Sequence, residues 1–377
     1  MKARQSGEWK KAGMENKNRR EKQQRLMNLL IICAVAVILL SVGILIWTNV
    51  QKNRRLSRQS EAFEAVNARN ASGDPNASMA ESSGIYGGLS DSEKKQVSYK
   101  GQKYVLNEDL DNYLFLGIDS VTNTDKDKNT PQKGGQSDAI YLLSYNRREE
   151  TVKLIAIPRD TMSPVEAFDR AGESLGVTVN NICLQYAYGD GKHKSCELAK
   201  KAVSTLLYGV PIRGYTSLNL NSLPLLADLV GGVTITVPDD SLKEVDPVFA
   251  EGAVVTLDSK NSEKYLRYRD TEVRQSAMTR FQRQLVFLHA FAARLQEQQA
   301  KDASTVTKVY EGLKPYMVSN MGNDVYVKLA GAKNEGDTIT IPGDGVTNEK
   351  AGFDEYHVRE TELYELVLET FFKKISE

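Results

Sequence analysis

Nineteen consecutive residues, Leu29 to Trp47 (LLIICAVAVILLSVGILIW), carry no charged side chain. At about 1.5 Å per residue, a helix of that length just crosses a hydrocarbon core roughly 30 Å thick. A helix buried in a globular core keeps a polar face, and this run has none, so it reads as a single transmembrane helix. Thr48, Asn49, Val50, Gln51 and Lys52 follow without a small-residue cleavage pattern, so the expected role is an uncleaved anchor and not a secretory signal. Nine Lys and Arg precede the run, against Lys52, Arg54, Arg55 and Arg58 just after it. That bias places the N-terminus in the cytoplasm and the remainder of the chain outside.

Composition sharpens this division. The whole chain balances 49 basic against 49 acidic residues, but residues 1–50 hold nine basic and only three acidic ones. The excess of positive charge is therefore a topology signal before the anchor, and the larger part beyond it is acidic. Hydrophobic residues at 41% exclude whole-chain disorder, and the acidic outer part excludes a bulk basic nucleic-acid binder. No nucleic-acid partner is expected. Of the three cysteines, Cys33 lies in the apolar run, while Cys183 and Cys196 lie in the outer part, where an oxidising exterior would permit them to pair.

The expected organisation is a cytoplasmic basic segment (1–28), a transmembrane helix (29–48), a stalk and linker (49–98) and a folded outer domain (99–377). The linker is rich in Ser, Asn, Gly and Ala (NASGDPNASMAESSGIYGG), with little to bury. Beyond it, YLFLGID (113–119), AIYLLSY (139–145) and VKLIAIP (152–158) read as buried strands, the last two joined by a polar turn. VTITVP (233–238) and ITI (339–341) are further strands. Helical spacing predicts helices over 195–207, capped by Ser195, over 222–229, closed by Gly231 and Gly232, and over 262–266, 279–297 and 360–374. The fold class that follows is α/β, a mixed central sheet covered by helices in an α-β-α layered domain.

Motifs for phosphate loops, serine hydrolases and zincins are missing: there is no GxxxxGK[ST], G-x-S-x-G or HExxH, and the three histidines are far apart in sequence. Arg and Asp recur instead at the ends of expected elements. Asp119 ends the first strand, Asp138 precedes the second, and Arg159 and Asp160 end the third. Arg267 and Arg269 stand two apart, a spacing that converges only if the chain there is extended. Arg280 and Gln284 stand four apart, on one helical face, with Arg283 alongside. Carboxylates for a hard divalent cation together with planar forks for phosphate oxygens point to phosphoryl-group chemistry.

In order, LFLGIDS, SDAIYLLSYNRREETVKLIAIPRDTM, LQYAYGDG, ADLVGGVTITVP, YLRYRDTE and RFQRQ resemble the LytR-CpsA-Psr family from about Tyr113 to Phe291. The resemblance implies a type II membrane protein of the Gram-positive envelope. Its outer domain would bind a polyprenyl-pyrophosphate lipid, with the lipid tail in an apolar tunnel, and transfer the attached glycopolymer, a teichoic acid or capsular polysaccharide, to peptidoglycan. It further implies Asp119 and Asp138 near Mg²⁺ (or Mn²⁺), with Asp138, Arg159, Arg267 and Arg269 as catalytic residues. Arg159, Asp160, Arg267, Arg269, Arg280 and Gln284 would bind the substrate. One departure stands out: Gln136 occupies a position where the family commonly has Arg. Lys133, in the long polar loop between Asp119 and Asp138, is the expected substitute for that charge. The competing expectation is a non-catalytic lipid-pyrophosphate-binding or scaffolding protein.

Overall fold

The computed structural model describes residues 96–121, 134–169, 173–349 and 352–375. The expected cytoplasmic segment, transmembrane helix and nearly all of the stalk, together with Lys133, lie outside the described residues. Among the described residues no helix is long and apolar enough to cross a membrane.

The first described strand, β1 (Gln96–Tyr99), turns into β2 (Gln102–Leu106). Three strands then form the middle of the main sheet: β3 (Leu110–Ile118), β4 (Ser137–Asn146) and β5 (Thr151–Ala156), each antiparallel to the next. The β4–β5 turn is fixed by chemistry local to it. Asn146 Oδ1 accepts from the amides of Arg148 and Glu149 at 3.0 and 3.2 Å, and Glu150 takes a left-handed φ of 53°. A hairpin of β6 (Met162–Phe168) and β7 (Ser174–Asn181) follows. Next come a one-turn helix α1 (Leu184–Ala187), α2 (His193–Leu206), and β8 (Gly214–Asn219), which runs parallel to β3.

Helix α3 (Leu223–Asp228) carries its Pro in the first turn and stops at Gly231 and Gly232, whose φ of 75° and 89° few other residues adopt without strain. Then come β9 (Val233–Thr236), β10 (Val254–Leu257), α4 (Ser262–Arg267), the 26-residue α5 (Ser276–Lys301), α6 (Thr305–Leu313), β11 (Met317–Ser319) and α7 (Asn323–Gly331). The two short strands β12 (Lys333–Asn334) and β13 (Ile339–Thr340) both pair parallel with β5. The hairpin β14 (Gly343–Asn348) and β15 (Phe353–Val358), α8 (Glu360–Phe371) and β16 (Phe372–Lys374) complete the described chain. The main sheet has the order β11-β8-β3-β4-β5-β12, and it is mixed, as expected.

Period-two alternation in the sheet divides its side chains between two layers. Leu114, Leu116, Ile140, Leu142, Ile155 and Ile157 face one core, against α2 residues such as Ala199 and Val203 and α8 residues such as Leu363 and Val367. Phe115, Ala139, Tyr141, Leu143, Leu154 and Ala156 face the other way, against Met278, Phe281, Leu285 and Leu288 of α5. A second core beneath the β9–β10 pair takes Phe287, Phe291 and Leu295 from further along α5. At about 1.5 Å per residue this helix is roughly 39 Å long, so it spans both cores and carries residues of the site at its N-terminal end.

Two expectations are corrected here. Ser195 is not the cap of α2: it lies inside the helix, fully buried, and Asp190 Oδ1 accepts from the amides of Lys192 and Ser195 at 2.8 and 3.2 Å. The closing helix does not reach Lys374, because residues 372–374 leave it to pair antiparallel with β2. Arg283, expected beside Arg280, is instead fully buried and structural. It donates to the carbonyls of Tyr265 (3.2 Å) and Tyr268 and to Ser241, fastening α5 to α4 and to the loop after β9. Arg283→Ala would take this partner from the buried carbonyl of Tyr265 and the partly buried one of Tyr268, beside a cavity. A loss of about 3 kcal/mol or more is expected, measurable as a lowered urea midpoint at unchanged slope.

Candidate active site

The ends of β3, β4 and β5 meet the start of α1 and the first turns of α5. Asp119 follows β3, Gln136 and Asp138 flank the first residue of β4, and Arg159 and Asp160 follow β5. Asp138 sits between two guanidinium groups. Arg159 Nη1 contacts Asp138 Oδ1, and Arg280 Nη1 lies 2.9 Å from Asp138 Oδ2. Arg159 is the hub: its Nε donates to Asp160 Oδ1 at 3.2 Å, and its Nη2 donates to Gln136 Oε1 and lies 3.3 Å from Cys183 Sγ. Asp119 is held by the turn before β4, where its Oδ1 accepts from the backbone N–H of Gln136. Asp160 is oriented by Asn181, whose Nδ2 lies 3.2 Å from Asp160 Oδ1 and 3.1 Å from the carbonyl of Asp354.

Burial and neighbouring charge act against each other throughout. Burial lowers the Arg280 pKa most, and the nearby charges of Arg159 and Arg269 lower it further, to about 10. It therefore remains charged at neutral pH. Burial also works against the charge on Arg159, but Cys183, Asp160 and Asp119 outweigh it and raise its pKa. Asp160 is raised chiefly by burial, with Arg159 opposing the rise. Burial pushes the Cys183 thiol up to about 11, so it is a neutral neighbour of Arg159 and not a nucleophile.

The other expected residues divide. Arg269 is in the extended segment between α4 and α5, with Nη1 3.5 Å from Ser276 Oγ, and its charge acts on both Asp160 and Arg280. Arg267 is still helical and pairs with Glu263 at 3.0 Å on the surface of α4, so the two arginines do not share one extended face. Gln284 donates to the Leu266 carbonyl at 3.1 Å, tying α5 to the end of α4. Cys183 and Cys196 do not pair. Both are free and buried, Cys183 against Arg159 and Cys196 3.5 Å from Ser217 Oγ.

Gln136 falls in the site at the expected position, whereas Asn181, Cys183 and Asp354 were not foreseen as parts of it. Asp354 accepts from the N–H of Gln275 at 2.8 Å, where Gln275 opens α5 with φ 58°, and so it anchors the helix end that carries Arg280. Its position on a late hairpin left no local signal in the sequence. Among the described residues no group of three or more His, Cys, Asp and Glu converges as a metal site. Gly135 has φ 76°, and a Cβ there would come within 2.8 Å of Asp119 Oδ1. Gly135→Ala is therefore expected to displace Asp119 and to lower any activity that depends on it at least tenfold, while strain costs about 1–2 kcal/mol. Kinetics alongside a melting curve separate the two effects.

This is an α/β domain with an arginine-clamped carboxylate at the carboxyl end of β5, beside the apolar layer between the sheet and α5. The sequence profile of the LytR_cpsA_psr family matches residues 78–370, and the chain belongs to that family. Over 233 residues it is 25% identical to the polyisoprenyl-teichoic acid–peptidoglycan teichoic acid transferase TagU of Bacillus cereus, covering 62% of this chain and 68% of that protein. It is 28% identical over 183 residues to TagT of Bacillus subtilis, covering 47% of this chain and 50% of that protein. A match to TagU of Halalkalibacterium halodurans, 27% identical over 144 residues, spans 38% of this chain and only 39% of that relative. The fold is shared with a structure of TagT bound to LI-WTA (TM-score 0.51, 22% identity, 70% of this chain and 89% of that one). A Streptococcus agalactiae protein also shares it (TM-score 0.54, 18% identity, 68% and 85%).

Proposed function

We propose that the chain is a membrane-anchored transferase that moves a glycopolymer from a polyprenyl-pyrophosphate lipid carrier to a hydroxyl group of peptidoglycan. The observation that carries this reading is Asp138 seated between Arg159 and Arg280 at the end of the apolar layer between the sheet and α5. Phe115, Ala139, Leu143, Leu154, Met278 and Leu288 remain partly exposed between the sheet and α5. That is a place for a hydrocarbon chain next to guanidinium forks suited to phosphate oxygens. The transferase names of the relatives support attachment of a teichoic-acid-like polymer to peptidoglycan. Residues 29–48 serve as the span in this reading, with 1–28 cytoplasmic and the folded domain outside the cell membrane.

Arrival of the pyrophosphate exchanges one set of ion pairs for another. Arg159 and Arg280 turn from Asp138 to the phosphate oxygens, with Arg269 beside them, and Asp138 is released to accept a proton. The acceptor hydroxyl oxygen attacks the sugar-side phosphorus, and its proton passes to Asp138. The bond to the lipid-side phosphate breaks, giving a phosphodiester on the acceptor and polyprenyl phosphate as the leaving group. The arginines neutralise the charge that builds on that group. Asp119 and Asp138 are the residues that would hold Mg²⁺ or Mn²⁺. They fit such an ion as hard oxygen donors, because Mg²⁺ is commonly bound by one or two carboxylates and completed by phosphates and water. When bound, the ion supplies further charge neutralisation at the phosphates.

The test uses the full-length protein in detergent with Mg²⁺, a polyprenyl-pyrophosphate-linked oligosaccharide and a peptidoglycan oligomer. Phosphodiester-linked product is expected. Tight lipid binding without product would instead establish a carrier-binding protein, the reading that the neutral Gln136 on Arg159 favours.

A further inference from the structure

Three buried polar atoms beside the site have no hydrogen-bond partner among the described residues: Tyr141 Oη, Arg280 Nε and Gln284 Oε1. They are close neighbours in the fold. Arg280 and Gln284 stand one turn apart on α5. Tyr141, 9% exposed, comes from β4 three residues after Asp138 and belongs to the cluster of Phe281 and Leu285, the residues that follow those two on the helix. Burial raises the pKa of its phenol, and the Arg280 charge opposes that rise, so the hydroxyl lies within reach of the guanidinium field. Native interiors seldom leave a hydroxyl and a guanidinium N–H unmatched in the same place, since each has been stripped of water for no return. The two donors suit an anionic oxygen.

We infer that Tyr141 is a further substrate-positioning residue, its hydroxyl donating to the lipid-side phosphate of the carrier while Arg280 holds the same group. This rests on the carrier-binding reading above. The placement follows from the surroundings of the ring. Asp138 and Arg159 lie at the polar end of the site, whereas Tyr141 is embedded among Phe115, Ala139, Phe281 and Leu285, of which Phe115 and Ala139 are among the partly exposed residues available to a prenyl chain. A side chain that is apolar along its body and polar at its tip suits the junction where charge gives way to hydrocarbon. Gln284 Oε1, an acceptor, suits a water carried in at the same junction.

Tyr141→Phe removes one oxygen and no hydrogen bond of the ligand-free protein. In the full-length protein in detergent, two quantities are measured: the ligand-free Tm, and the Kd for geranylgeranyl pyrophosphate by calorimetry. The expected results move in opposite directions. Relief of an unpaired hydroxyl raises the ligand-free Tm by about 2 °C, while the Kd weakens by about tenfold. A purely structural tyrosine would not produce that divergence. An unchanged Kd would overturn the inference, and so would a lowered Tm, which would show that the hydroxyl already has a partner in the protein. Failure of the wild-type protein to bind the probe would be distinguishable from both, because it removes the carrier-binding reading itself.

Discussion

Arg159→Ala is expected to abolish transfer, lowering kcat/KM by about 10³-fold or more. The size follows from how many groups that one side chain orders. It touches Asp138, Asp160, Gln136 and Cys183, so its loss removes a charge from the pyrophosphate and also frees two carboxylates from their settled positions. Arg159→Lys should recover little, since an ammonium cannot span Asp138 and Asp160 with separate nitrogens as the guanidinium does. The informative comparison is KM for the lipid-linked donor against kcat. Both should worsen if Arg159 binds the pyrophosphate in the ground state and supports the leaving group during transfer. A variant with wild-type turnover would remove Arg159 from the mechanism altogether.

Asp138→Asn separates binding from chemistry in a different way. If Asp138 takes the proton of the acceptor hydroxyl, kcat should fall by about 10²- to 10⁴-fold. Measured without divalent cation, donor affinity should hold or improve, because the amide competes far less well than the carboxylate for Arg159 and Arg280, and both forks are then free for phosphate. A fall in KM accompanying the fall in kcat is the distinguishing result. Equal weakening of binding and turnover would show that Asp138 serves only to position its arginines.

The strands that build the floor of the site were legible because they are covered on both faces. YLFLGID, AIYLLSY and VKLIAIP leave no polar alternation to misread, and a polar turn fixes the hairpin between the last two. β8 was not legible, although it is paired on both sides, with β11 and β3. Its GYTSLN sequence looks like a loop until Thr216 is seen bonded to Ser319 and Tyr326, and Ser217 to Tyr186. Partners that remote leave no trace in a local window. The site shows the same division. Asp138, Arg159 and Arg280 could be proposed from strand ends and helical spacing, and the structure brings them together, whereas the supports come from elsewhere in the chain. Asn181 ends a hairpin, Cys183 opens a one-turn helix, and Asp354 stands 79 residues after its partner Gln275 in a pairing that no periodicity announces. Arg267 shows the opposite failure: a two-residue spacing suggested convergence, but α4 continues one residue further than expected and turns it toward Glu263.

The sheet in which β16 lies against β2 has a consequence for the order of assembly. Phe372 to Lys374 pair with Tyr104 to Leu106, and Tyr99 reaches Glu365, 266 residues away along the chain. α8 meanwhile supplies Leu363, Val367, Leu368 and Phe371 to the core on one side of the main sheet. That core therefore stays open during synthesis until these late residues emerge, and β2 waits for β16. Closing so large a loop is entropically slow, which favours a chain that is delivered in full before it settles. A polypeptide interrupted before residue 360 would retain the site's arginines on an unclosed core, exposed to proteolysis.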